Sequence, residues 1–395
     1  MFKSIRITNF RSCEDVWIQN IGHMLAFVGR NAVGKSNLLK AIDWAATVAT
    51  SDLRSSDHSA VGLNSDAAAD FDIELEGQQY RYSIIVTLSA TAERSKKRTP
   101  RPRWSLQETL LELRDNADSV TVFARTDEDI RISNVPETVK VALTAASMPT
   151  LLAVLSDDLE TSRQIRSVMS FLSKVRYYPL DEPSSPVEDS WLPDDEYKRW
   201  LADYNSSGDP GDSVIKRIAH LHLSDEERFA ELQTLVGENG LGILEKIVPL
   251  KHVLGASASP GGDTYHRVMF RLNGKMFQYA GLSLGTRRVL RILVTQVFDR
   301  STVLLLEHPE DGIHRGLLRR LMAALSSASD DCQVFIASHS TVVFDTIGPA
   351  NVRLVTIEDG STRVRSLTDI ELAAAKQFLD NEGSFSDFLR SIEED

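Results

Sequence analysis

Five apolar residues, Met24, Leu25, Ala26, Phe27 and Val28, run directly into Gly29-Arg30-Asn31-Ala32-Val33-Gly34-Lys35-Ser36, and the chain turns helical from Asn37. This order of strand, glycine-rich loop and helix constrains the fold more than any other feature. A continuous apolar strand needs cover on both faces, which places it inside a largely parallel α/β sheet. The loop fits the G-x-x-x-x-G-K-S pattern at every fixed position. Its glycines let backbone N–H groups curl around phosphate oxygens, Lys35 reaches the terminal phosphates, Ser36 ligates Mg²⁺, and the helix aims its positive end at the same place. Gly29, Asn31, Gly34, Lys35, Ser36 and Asn37 are the candidate ligand contacts.

The opening residues alternate, with Ile5, Ile7 and Phe10 inward, and read as an outer strand. Ser51 to Asp70, rich in Ser, Asp, Ala and Gly, reads as a loop, while Phe71–Leu75, Tyr80–Leu88 and Trp104–Leu113 read as strands of an antiparallel subsheet. Helical patterns dominate from Pro136 to Val253, without the sustained heptads of a long coiled-coil arm. After Thr264 strands return, and Val303–Leu306, Val334–Ala337 and Val352–Ile357 alternate with helices. The expected layout is an α/β fold in three parts: an N-terminal lobe over 1–135, a helical insertion over 136–260 and a C-terminal lobe over 261–395, with one parallel sheet assembled from both ends of the chain.

The bulk numbers bound the functional classes. A net charge of −12 over 395 residues excludes a surface that coats nucleic acid as a whole. Any such contact is local, and Arg94, Lys96, Lys97, Arg98, Arg101 and Arg103, broken by Pro100 and Pro102, form the one candidate loop. The other reading of that loop is a charged hairpin tip that keeps an edge soluble. Cys13 and Cys332 provide neither a disulfide framework nor a zinc spacing and read as buried thiols. No apolar run reaches about 18 residues and no apolar leader opens the chain, so the expected location is the cytosol, with no membrane partner.

Two further groups carry chemistry. Leu282-Ser283-Leu284-Gly285-Thr286-Arg287-Arg288 opens a helical run, and by itself could be any helix start capped by Ser283. It is followed by Val303-Leu304-Leu305-Leu306-Glu307, an apolar strand that ends in a carboxylate, as needed to present a Mg²⁺-binding acid beside a phosphate loop. Phe335-Ile336-Ala337-Ser338-His339-Ser340 is a second buried strand, ending in a histidine that a neighbouring sheet position would deliver to the terminal phosphate.

Together, Gly29–Ser36, Leu282–Arg288, Leu305–His314 and Ile336–Ser340 resemble the ATPase heads of the SMC, RecF and OLD (overcoming-lysogenisation-defect) group of ABC-type proteins. They are similar in particular to compact AAA-labelled ATPases of bacterial anti-phage systems. Ile7-Thr8-Asn9-Phe10-Arg11-Ser12 is similar to that group's opening strand, and Gly383–Leu389 to its closing segment.

The resemblance implies an ATP- and Mg²⁺-binding head with Lys35 and Ser36 on the nucleotide and metal, Glu307 as the acidic metal partner and His339 as the γ-phosphate sensor. Ser283 and Gly285 would cap the ATP of the opposite subunit, which implies a homodimer. One departure stands out. The group places a second carboxylate after the metal acid as general base, whereas this chain reads Glu307-His308-Pro309-Glu310, so His308 takes that position, with Glu310, past the proline, as the alternative group to activate the water. Slow hydrolysis by a dimeric switch that controls a separate effector protein, in anti-phage defence, is the expected function. A RecF-like DNA-repair head using the Arg94–Arg103 loop is the alternative. Only 56 residues follow His339, too few for an OLD-type nuclease domain, and a transporter subunit fits the opening strand and signature less well. The glutamine that contacts metal and water in the group is sought near Phe71–Glu76, at Gln78 or Gln79.

Overall fold

The computed structural model describes residues 1–50, 63–90, 102–114, 118–126, 129–133, 155, 159–179, 191–207, 213–254, 263–327, 332–381 and 388. They form two compact units, Met1–Tyr177 with Thr302–Glu307 and Ser329–Asp395, and Tyr178–Ser301 with His308–Ala328.

The first unit holds two sheets. One is a seven-stranded antiparallel sheet of β1 (Phe2–Phe10), β2 (Cys13–Ile18), β4 (Leu63–Leu75), β5 (Gln78–Ala90), β6 (Pro102–Leu113), β7 (Ser119–Arg125) and β8 (Ile130–Ile132), in the order β2-β1-β4-β5-β6-β7-β8. The other has six strands, β3 (Met24–Val28), β9 (Val175–Tyr178), β14 (Val303–Glu307), β15 (Gln333–Ala337), β16 (Val352–Glu358) and β17 (Ser361–Ser366), in the order β17-β16-β3-β15-β14-β9. Its inner four strands run parallel, so both ends of the chain do build one parallel sheet. Helices α1 (Lys35–Thr50), α2 (Glu160–Leu172), α8 (Thr341–Ile347) and α9 (Asp369–Asn381) belong to this unit.

All five residues of β3 are buried, as a strand with cover on both faces requires. The aromatic rings of Phe2, Phe71, Phe171 and Phe335 meet in the core, with Phe2 within 4.9 to 6.4 Å of the other three centroids. Buried Gln333 fastens β15 to β1: its Oε1 accepts from Phe2 N (2.6 Å), and its Nε2 donates to Phe2 O (3.0 Å) and Gly22 O (2.9 Å). A buried amide placed so satisfies backbone groups that no strand pairing reaches. Cys13 and Cys332 are both buried and free, and burial pushes the Cys13 thiol up to about 12.

The expected loop over Ser51–Asp70 is corrected from Leu63 onward. Leu63–Asp70 belong to β4, pairing with β1 and β5, and Ala67 and Ala69 point inward while Asp66 faces solvent. Ala67 and Ala69 take the inward positions and Asp66, Ala68 and Asp70 the outward ones, so even a run of alanines serves as a strand when a neighbour covers one face. Arg94–Arg101 of the basic loop lie outside the described residues, as does the closing segment 383–389 apart from buried Phe388.

The second unit contains a small antiparallel sheet of β10 (Trp191–Pro193), β11 (Lys246–Leu254), β12 (Asp263–Leu272) and β13 (Lys275–Phe277). Its helices are α3 (Asp194–Ser207), α4 (Val214–Ser224), α5 (Glu226–Val236), α6 (Leu284–Asp299) and α7 (Arg315–Ser327). Lys246–Val253, expected within helical sequence, is instead an edge strand paired to β12 along its whole length. Pro249 explains the choice, since it lacks the N–H a helix interior needs and is tolerated at a sheet edge. Among the described residues no helix is long and apolar enough to cross a membrane.

Inside the seven-stranded sheet, Glu108 is buried between two partners, accepting from the Tyr82 hydroxyl and from Arg125 Nε. Burial raises its pKa, against the pull of Arg125. Glu108→Ala takes away the common acceptor of a buried phenol and guanidinium, and should cost about 3–5 kcal/mol. Equilibrium urea unfolding checks this, and a loss below about 1 kcal/mol would contradict it.

Candidate functional site

Parallel register sets the site. Phe27 of β3 pairs with Ala337 of β15, which pairs in turn with Glu307 of β14, so three strands end side by side. Ligands in such sheets bind outside the carboxyl ends of the strands. Here those ends deliver the Gly29–Ser36 loop, Ser338-His339 and Glu307.

The loop is held from behind by residues far away in sequence. Thr362 Oγ1 donates to Val33 O (2.9 Å) and touches Ser12 Oγ (2.7 Å), and Asn37 Nδ2 donates to Ser12 Oγ (2.8 Å). Arg11 donates to Asn37 Oδ1 (3.3 Å). A Cβ at Gly34, where φ is +102°, would lie 2.0 Å from Thr362 Oγ1, and one at Gly29 would lie 2.1 Å from Val355 O. Only glycine lets this backbone pass so close to β16 and β17. Asn31 is exposed on the loop.

Lys35 opens α1 and is 5% exposed. Its ammonium donates to Gly29 O and Arg30 O, each at 2.8 Å, and lies 3.0 Å from His339 Nε2. An ammonium only donates, so Nε2 accepts and the His339 ring is neutral with its proton on Nδ1. Three acceptors for three N–H bonds compensate a buried charge. Ser36 Oγ donates to Glu307 Oε1, and the Tyr177 hydroxyl donates to Glu307 Oε2. Burial first, then the Glu307 hydrogen bond, raises the Tyr177 pKa and keeps its phenol protonated.

The structure thus brings Lys35, Ser36, Glu307 and His339 together within the first unit, and adds Tyr177, which sequence reasoning missed. The strand-like Val175–Tyr178 ahead of Pro179 was the available signal. A hydroxyl and a carboxylate already in contact are hard oxygen ligands that fit Mg²⁺, and a glycine loop with a lysine at its helix start fits a triphosphate. Gln78 accepts from the Tyr80 hydroxyl and lines a different cleft, about 700 Å³ in volume, with Arg163, Arg166 and Ser167 of α2.

Ser283, Gly285 and His308 belong to the second unit. Ser283 caps α6, accepting from Thr286 N (3.2 Å), and is exposed. Gly285 is buried, and a Cβ there would lie 2.4 Å from Gly312 O, so packing within the chain already demands a glycine at this position. Arg288 donates to Asp311 O (2.9 Å), fastening α6 to the same turn. His308 adopts a left-handed φ of +45°, and its Nδ1 is 3.4 Å from Glu310 Oε1.

These features define a nucleotide-binding P-loop ATPase. The chain belongs to the family described as "AAA domain, putative AbiEii toxin, Type IV TA system", whose model matches residues 24–345. It is 51% identical over 43 residues to the uncharacterized protein MJECL44 of Methanocaldococcus jannaschii, an alignment covering 11% of this chain and 13% of that relative. Among solved structures it is similar to the SMC head domain from Thermotoga maritima (12% identity, TM-score 0.42, covering 93% of this chain and 99% of that one). It is also similar to an SMC head bound to the C-winged helix domain of ScpA (12% identity, TM-score 0.43, 94% and 99%). A third is an SMC head with an extended coiled coil, bound to a C-terminal domain of ScpA derived from Pyrococcus furiosus (12% identity, TM-score 0.42, 96% and 98%).

Behind the loop, burial raises the Asp43 carboxyl on α1 to about 6, with Arg176 opposing the shift. A carboxyl whose folded pKa lies above its unfolded value near 3.8 contributes stability that is complete below the lower value and lost as pH rises through about 6. Asp43→Asn should therefore match the parent in melting temperature near pH 4 and exceed it by pH 7. A variant that melts lower than the parent at pH 7 would reverse the sign and refute this.

Proposed function

We propose that this ATPase is a dimeric switch driven by Mg-ATP and that it controls a separate effector protein. The observation that carries this reading is the meeting of Lys35, Ser36 and Glu307 at the ends of three parallel strands, with the Lys35 ammonium held on carbonyls it can exchange for phosphate oxygens. Bound Mg²⁺ would supply charge neutralisation between the phosphates, held by Ser36 Oγ and the Glu307 carboxylate. His339, neutral and beside Lys35, is the group that senses the terminal phosphate. Ser283 lies exposed at the start of α6, where a helix N-terminus can face the ATP of a second copy and close the dimer head to tail.

His308 is the proton acceptor for the attacking water in this reading. Glu310 beside Nδ1 favours the tautomer that leaves Nε2 as acceptor. A base held in a left-handed turn instead of at a strand end fits slow turnover, with ATP held for long periods in the closed dimer. The toxin and Type IV TA wording of the family description supports a role in anti-phage defence, with the effector bound or released as the dimer opens.

A paired experiment tests the binding and closure steps. Lys35→Ala should lose Mg-ATP affinity by at least about a hundredfold in calorimetry while remaining folded, because the loop's partial charges alone do not neutralise the phosphates. Ser283→Arg should bind ATP normally but show no ATP-dependent association in sedimentation. Parental affinity in the first variant removes the phosphate-loop assignment, and parental association in the second removes Ser283 from closure. For the chemical step, His308→Ala should keep ATP bound and slow single-turnover hydrolysis about a hundredfold. An unchanged rate would rule His308 out as the base.

A further inference from the structure

We infer that Tyr177 is a positioning residue that sets the orientation of the metal-binding acid, an assignment that rests on the Mg-ATP reading of this site. Glu307 is the last residue of β14, and its carboxylate is held at both oxygens: Ser36 Oγ donates to Oε1 and the Tyr177 hydroxyl to Oε2. β9 lies next to β14 at the sheet edge, so the phenol reaches the carboxylate from a neighbouring strand, 130 residues away in sequence. Tyr177 is itself steadied, with the Lys40 ammonium 6.0 Å from its ring centroid.

The chemistry explains why such a partner matters. A glutamate carries one more rotatable bond than an aspartate and loses more rotamer freedom when a metal fixes it. A rigid phenol that claims Oε2 removes that freedom during folding and leaves Oε1, on the Ser36 side, to meet the ion. Hydrogen bonds of this outer kind, to a ligating carboxylate, orient the ligand and typically govern metal affinity by ten- to a hundredfold. Tyr177→Phe removes the hydroxyl alone and keeps the ring, its packing and the contact with Lys40.

Mn²⁺, which paramagnetic resonance detects directly, substitutes for Mg²⁺ in the test. Titrated into the protein saturated with a non-hydrolysable ATP analogue, Mn²⁺ should bind Tyr177→Phe about tenfold or more weakly than the parent. Calorimetry of the same analogue in EDTA should differ less than twofold between the two proteins, which a general structural defect would not allow. In a Glu307→Asp background the shortened acid no longer reaches the phenol, so adding Tyr177→Phe should change Mn²⁺ affinity less than twofold. Equal Mn²⁺ affinity in parent and Tyr177→Phe overturns the assignment and leaves the ATP site standing. An additive loss in the Glu307→Asp background also overturns it, because the phenol would then act through something other than Glu307. A parent that takes up no Mn²⁺ with nucleotide overturns the underlying reading as well.

Discussion

Strand β3 pairs in parallel with β15 on one side and β16 on the other, and everything in the site depends on that pairing. The phosphate loop leaves β3, the histidine leaves β15, and the acid ends β14 one strand further on. These three strands begin near residues 24, 303 and 333, so the site exists only once the N-terminal lobe has captured sequence from the far end of the chain. Gln333 reinforces the capture by satisfying both backbone groups of Phe2 through a single buried amide. A long-range sheet of this kind closes loops of hundreds of residues before any contact rewards it, which makes folding of this unit cooperative and slow.

The loop's shape depends on the same long-range assembly. Thr362, on β17, holds Val33 O and Ser12 Oγ, and the space it occupies is the space a side chain at Gly34 would need. Lys35 is then placed with its three N–H bonds spent on two loop carbonyls and His339, an arrangement that keeps a buried ammonium stable and ready to exchange partners. The loop is therefore preorganised by side chains that hold its backbone and its neighbours, Thr362 on Val33 O from behind and the Lys35 ammonium on Gly29 O and Arg30 O from within.

What could be read in the sequence follows from the range of each interaction. Gly29–Ser36, the buried strands β3, β14 and β15, and the candidates Glu307 and His339 were legible, because an apolar run that ends in a fixed residue type is a local signal. Leu63–Asp70 was not, since the run Asp66-Ala67-Ala68-Ala69-Asp70 shows no alternation of apolar and polar residues and only pairing with β1 and β5 makes it a strand. Lys246–Leu254 failed for a similar reason, with exposed Leu250 and Val253 blurring its alternation. The contact of Tyr177 with Glu307 was not legible, because its partner lies on another strand, and neither was the packing of Gly285 on Gly312. Ser283 is legible as a helix cap, which the structure displays, and its signature role belongs to the proposed dimer.

In the proposed function, the loop of β3, the start of α1 and the end of β14 form one site for Mg-ATP. The most direct measurement is an experimental structure with Mg²⁺ and a non-hydrolysable ATP analogue. Lys35 Nζ should leave Gly29 O and Arg30 O for phosphate oxygens, Ser36 Oγ should come within about 2.1 Å of the metal, and a Glu307 oxygen should either do the same or accept a hydrogen bond of about 2.7 Å from a water bound to the metal. A nucleotide bound elsewhere, with Lys35 still on those carbonyls and Ser36 still on Glu307, would contradict it.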